Sequence, residues 1–172
     1  KIYFSFGSHE KETAIYTKDL ISKVFKLNAS IIMAHKSAIN VCCYSRTLAF
    51  VMKYILKFGM NAKSKNIPGI VFNLNKSCRY DLLLSYLAGD GYPTKDLFEL
   101  IKSRRMLHSL QIQKITLATI SAGLSLSLQY LLSSLGLSYS LGYTPGKKST
   151  INNINTIFSP AYYIYIYTSQ KM

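Results

Sequence analysis

The sequence predicts an α+β fold of mixed helices over antiparallel sheets, with one structural unit present about one and a half times. Short runs of alternating apolar residues, bounded by turn residues, are interspersed with stretches whose apolar residues recur every three or four positions. The opening pattern returns late in the chain: Lys1-Ile2 and Ser8 correspond to Lys114-Ile115 and Ser121 at a single offset of 113. So long a period indicates a duplicated domain, not a solenoid. The third observation is composition: apolar residues make up 49% of the 172, enough for a folded core and too many for a disordered tail.

Lys1 to Phe6 reads as a strand. Gly7-Ser8 is a turn, with Ser8 as N-cap and Glu10 and Glu12 in the first helical turn, where the helix dipole favours acids. The helix continues to Phe25 and buries Ala14, Ile21, Val24 and Phe25. Ala29 to His35 and Ala38 to Tyr44 are two strands joined by a tight Lys36-Ser37 turn. Ser45 caps a second helix whose stripe is Leu48, Val51, Met52 and Ile55, with Gly59 as its stop. Asn61 to Asn75 is a polar, proline-containing connection. It places a repeat boundary at about residue 75, giving units 1–75 and 76–172. Within Tyr92 to Gln113, Asp96 to Leu110 reads either as a helix with Lys102, Arg104 and Arg105 on a basic face or as an irregular strand excursion. Lys114 to Ile120 is a strand, Ser121 a cap, and Leu124 to Leu135 a helix stopped at Gly136. Leu137 to Tyr143 is a strand, Thr144 to Asn155 a polar loop, and Ala161 to Thr168 a final strand.

Asp81 to Gly91 is the most informative stretch. Leu83, Leu84 and Leu87 share one helix flank, while Ser85, Ala88 and Gly89 lie three and four apart on the other. A flank of small side chains lets a second helix approach closely. Gly-Asp-Gly should end the helix at Gly89 and leave Asp90 beside carbonyl oxygens at the negative pole, where a carboxylate is disfavoured unless a cation joins it. A metal ligand fits this position; so does an ordinary Asp-Gly turn.

Leu83 to Gly91, Leu-Leu-Ser-Tyr-Leu-Ala-Gly-Asp-Gly, resembles the signature helix of the LAGLIDADG (DOD-type) homing endonucleases, in the form found in inteins. Ser85 stands where the family usually has glycine and Ala88 where an aspartate is frequent. Asp90 and Gly91 match its final Asp-Gly. Lys65-Asn66-Ile67-Pro68 resembles the family's Lys-x-Ile-Pro segment, 25 residues before the aspartate. The resemblance implies a duplicated αββαββα repeat with curved antiparallel sheets. On that pattern the first repeat lacks its signature helix and the second its last helix. It further implies Asp90 as catalytic residue and Mg²⁺ ligand and Lys65 as catalytic residue. Ser85, Ala88 and Gly89 would pack against the partner signature helix. The complete form is expected to be a monomer with pseudo-two-fold repeats, and these residues alone are expected to be inactive. An intein would have a host protein as partner and would lie inside the cell with the host DNA.

Net charge is +14, from 21 Lys and Arg against 7 Asp and Glu, which points to a polyanion: nucleic acid or, as the competing partner, anionic membrane. The family partner is double-stranded DNA with a long recognition site, read by a sheet in the major groove. Tyr163, Tyr165 and Tyr167 alternate with Ile164 and Ile166, giving one tyrosine face and one apolar face. Lys36, Arg104, Arg105, Lys114, Lys147 and Lys148 complete the candidate DNA-binding set, with loop lysines at phosphates. No Cys-x-x-Cys or His-x-x-x-His spacing suggests zinc, and Cys42, Cys43 and Cys78 read as reduced thiols. The first reading is therefore a metal-dependent, site-specific DNA endonuclease. The second is an inactive DNA- or RNA-binding remnant, or an intron splicing helper, of the same fold. A small membrane protein is the third: Ile115 to Gly146 carries no charge and is long enough to span a bilayer, although its serines, Gln129 and Gly136 argue against it.

Overall fold

The computed structural model describes residues 1–90, 114–151 and 154–167. The chain divides into two compact units, Lys1–Leu56 and Lys57–Met172.

In the first unit, β1 (Ile2–Gly7) leads through α1 (Lys11–Phe25) to β2 (Ala29–His35) and β3 (Ala38–Cys43), followed by α2 (Arg46–Phe50). The sheet is antiparallel in the order β1-β3-β2. Phe6 pairs with Ile39 and Ile39 with Met33, so the alternation of each strand lines up across the sheet. Ile39, Val41 and Cys43 face α1 and form the core with Ala14 and Ile21. Cys42 and Cys43 are both buried, free thiols.

Three expectations need correction here. Ser8 does not cap α1; the Gly7 N–H donates to the Glu10 carboxylate at 2.6 Å, and the helix begins at Lys11. Val24 is 58% exposed because it lies roughly 60° round the helix from Ile21, and Phe25, the last residue before the turn at Lys26, is also exposed. The stripe after Ser45 breaks down. Ser45 does cap α2, accepting from the Leu48 N–H at 3.1 Å, but Val51–Ile55 winds as a π-helix with Leu56 N–H bonded to the Val51 carbonyl. That wider turn shifts the phase of the helix, so Ile55 is 62% exposed. The helix ends at Ile55 with Leu56 as its cap, and Gly59 is not its stop.

The second unit contains a short 3₁₀ turn (Gly69–Asn73), α3 (Lys76–Asp90), β4 (Lys114–Thr119), α4 (Ala122–Leu135), β5 (Tyr139–Thr144), β6 (Lys147–Ile151), β7 (Ile154–Phe158) and β8 (Ala161–Tyr167). Its main sheet is antiparallel in the order β4-β8-β5. Both main sheets thus run strand, helix, strand, strand, with the last strand in the centre. The stretch from Thr144 to Asn155 is not a polar loop: β6 and β7 pair antiparallel as a hairpin between β5 and β8. Two runs with Ser, Thr and Ile on either side of Asn152-Asn153 carried that signal.

Leucines make the core. Leu124, Leu128, Leu131 and Leu132 of α4 meet Ile115 and Leu117 of β4, Ile164 and Ile166 of β8, and Leu83, Leu84 and Leu87 of α3. Ser121 caps α4 and Gly136 ends it in the left-handed conformation at φ 74°, with the Leu137 N–H returning to the Leu132 carbonyl. Ile67 and Val71 join the same cluster, so the connection before α3 belongs to this unit's core. The uncharged stretch from Ile115 to Gly146 is β4, α4 and β5. Among the described residues no helix is long and apolar enough to cross a membrane.

Candidate functional site

α3 starts where Asn75 supplies a cap, its Oδ1 accepting from the Cys78 N–H at 2.9 Å. Leu83 and Leu87 are fully buried and Leu84 nearly so, which fixes the rotation of the helix. Among the described residues the opposite flank is open. Ser85 is exposed and donates to the Asp81 carbonyl at 2.8 Å, and a Cβ at Gly89 would meet nothing within 4 Å. Gly89 is helical and does not stop the helix, which extends through Asp90. The side chains of Ala88 and Asp90 lie outside the described residues, as does Gly91. Asp90 is therefore placed by its backbone alone, as the last described residue of α3, one turn beyond Tyr86.

Lys65 sits in a built loop. The chain turns at Gly59 (φ 91°), and Asn61 and Ser64 satisfy the turn's own amides: Met60 N–H donates to Ser64 Oγ at 2.9 Å, and Lys63 N–H to Asn61 Oδ1 at 3.0 Å. The loop closes where the Asn66 N–H meets the Phe58 carbonyl at 2.9 Å. Ile67 and Pro68 are buried immediately afterwards. The Lys65 side chain is exposed and has no ion pair among the described residues.

Lys65 and Tyr86 line one cleft of about 320 Å³, together with Ala62, Thr119, Leu124 and Ala161. The Lys-Asn-Ile-Pro segment and α3, separated in sequence, thus converge on one concavity whose single charged lining residue among the described ones is Lys65. A cation over partly apolar walls suits an anionic group. Among the described residues no group of three or more His, Cys, Asp or Glu is gathered to hold a metal ion. Magnesium needs no such cage. It commonly takes one or two carboxylates, keeps water and uses substrate phosphates, a donor set that a single aspartate can enter.

The remaining candidates lie elsewhere. Ile164 and Ile166 of β8 are fully buried, leaving Tyr163, Tyr165 and Tyr167 on the other face of the central strand. Tyr163 and Tyr165 are near parallel, 8° apart with centroids at 6.4 Å, and Tyr167 Oη lies 2.9 Å from Ser140 Oγ. Gly142 on β5 leaves room for Tyr165, whose ring atoms would stand 3.1 Å from a Cβ there. Lys114 opens β4 opposite Tyr167, its side chain outside the described residues. Lys147 and Lys148 are exposed at the start of β6, and Lys36 is exposed in the β2–β3 turn of the first unit. Arg104 and Arg105 lie outside the described residues. Sequence reasoning missed Tyr86, the residue shared by α3 and the cleft; its signal is its place one turn before Asp90.

No protein-family model matches the chain. It is 30% identical over 151 residues to an uncharacterized protein of Methanocaldococcus jannaschii, covering 87% of this chain and 15% of that protein. It is 31% identical over 93 residues to a DNA polymerase II large subunit of Thermococcus kodakarensis, covering 54% of this chain and 5% of the subunit. The chain thus spans only a small part of either relative. Within 172 residues, matched stretches of 151 and 93 must overlap by at least 72 (151 + 93 − 172), so both relatives match a common part of the chain.

Proposed function

We propose that the chain is the core of a site-specific double-stranded DNA endonuclease of the LAGLIDADG type, probing a long recognition site and hydrolysing phosphodiester bonds. The convergence of Lys65 and the signature helix on one cleft carries this reading. In it the Lys65 ammonium stabilises charge developing on the scissile phosphate or orients the attacking water. Asp90, one turn beyond Tyr86, would contribute a carboxylate to a magnesium ion. When bound, that ion supplies water activation and neutralises the leaving oxygen.

The order of strands, alike in the two main sheets, supports a duplicated repeat. The open flank at Ser85 and Gly89 suits a second signature helix carrying a second carboxylate. A shared segment that is a small part of two long proteins with different names is what a mobile insert leaves behind, which favours an intein with a host protein as partner. The complete enzyme would then be a monomer of two repeats, inside the cell beside the host DNA.

The test is cleavage by the full-length gene product of a duplex selected from a random-sequence pool. Cutting should require Mg²⁺ and disappear in Asp90→Asn. Lys65→Ala should slow cutting at least about tenfold while changing DNA affinity less than about threefold, since its role is in the transition state. Equal losses in rate and affinity would make Lys65 a phosphate anchor only. Selective binding without any cutting would replace the nuclease by the binding remnant.

A further inference from the structure

The root of Lys65 is held by helix α4. The Ser121 hydroxyl accepts from the Leu124 N–H at 3.2 Å, which is the cap, and donates to the Lys65 carbonyl at 2.7 Å. A serine hydroxyl has one proton and two lone pairs, so both bonds form together. Capping alone asks only for an acceptor, which Asp or Asn provides equally well. The donated bond, across 56 residues of sequence, is a separate function of this buried side chain.

A second serine acts on the next residue. The Ser127 hydroxyl donates to Asn66 Oδ1, the oxygen that also accepts from the Ile67 N–H at 3.0 Å, and the Gly123 carbonyl at 2.9 Å competes for its one proton. Between the two serines, a Cβ on Gly123 would stand 3.6 Å from the Lys65 carbonyl oxygen and 4.0 Å from Asn66 Cγ. The loop therefore lies directly on the first turns of α4, and Ile67 is buried in the same core as the α4 leucines.

We propose that Ser121 and Ser127 are positioning residues that fix where the Lys65 side chain leaves the loop and so aim its ammonium into the cleft. This rests on the role given to Lys65 above. A lysine side chain is long and flexible, and its reach is confined only if its backbone is held. A displacement of about 1 Å in a reacting geometry costs on the order of a hundredfold in rate, so a loop anchored at both Lys65 and Asn66 matters to the chemistry.

The experiment uses the 172-residue chain. Amide hydrogen exchange reads the loop, and amine labelling of Lys65, with and without random-sequence duplex DNA at low salt, reads its side chain. Ser127→Ala should speed exchange at Asn66 and Ile67 about tenfold, leave the Leu128 to Leu132 amides unchanged, and cut the protection of Lys65 by DNA about threefold. Ser127→Thr, which keeps the hydroxyl, should restore both. Ser121→Ala should do the same at Lys65 to Ile67, beyond any change in α4. Unchanged loop amides with normal protection of Lys65, or failure of Ser127→Thr to restore them, overturns the clamp. Labelling of Lys65 that DNA does not slow in the unsubstituted chain overturns the nuclease role of Lys65 itself, whatever the amides do.

Discussion

At Gly59 the backbone adopts φ 91°, and a Cβ there would collide with the Ser64 carbonyl oxygen. Alanine is disfavoured twice, through the positive φ and through the collision with main chain that cannot swing aside. Because this turn brings Phe58 back to Asn66, the damage falls on the Lys65 loop. Gly59→Ala should lower unfolding stability by more than about 1 kcal/mol in urea titration. Gly69→Ala is the matched control: a Cβ there meets nothing within 4 Å and its φ is not positive, so it should change stability by less than about 0.5 kcal/mol. Similar losses at both positions would remove the special status of the Gly59 turn. The same loop marks the limit of sequence reading at this scale. The spacing of Lys65 and Asp90 was legible, whereas the hydroxyls of Ser121 and Ser127 that hold the loop lie 56 and 61 residues from their partners, beyond any local pattern.

Helix α3 has two faces with opposite energetic consequences. Leu87 is fully buried among the α4 leucines and sheet isoleucines, so Leu87→Ala leaves a cavity and should cost about 2–5 kcal/mol. Ser85 is exposed, and Ser85→Leu should shift the stability of this chain by no more than about 0.5 kcal/mol. In the complete nuclease proposed above, the same leucine should block the close approach of the proposed second signature helix and abolish cutting. A large loss of stability from Ser85→Leu in the 172-residue chain would show that the small flank is already occupied. Elements were legible where one local pattern settled them. The β2–β3 hairpin, the Ser45 and Ser121 caps and the Gly136 stop all stand as the sequence suggests. The phase after Phe50 was not legible because a π-helix follows no 3.6-residue period. Nor were β6 and β7, because lysine, serine, threonine and asparagine read first as a loop.

The whole chain carries +14, and among the described residues Lys147 and Lys148 at the start of β6 hold part of that charge on a different element from Tyr163, Tyr165 and Tyr167 of β8. Charge and face should therefore contribute differently to DNA binding. Lysines at phosphates release counterions, giving a slope of log affinity against log salt of about −0.9 for each phosphate neutralised. Tyrosines on a sheet face read shape and base edges and leave that slope alone. Binding should thus weaken steeply between roughly 50 and 200 mM salt. Replacing Lys147 and Lys148 with alanine should flatten the slope by about one unit for each phosphate no longer neutralised and weaken all sequences alike. Tyr165→Ala should instead keep the slope and reduce the preference for the selected site over random duplex. Both variants are read from the same salt titrations, on selected and random DNA side by side. An affinity independent of salt would refute the electrostatic contribution. A slope changed equally by the lysine pair and by Tyr165→Ala would refute the division of labour between the hairpin and the sheet.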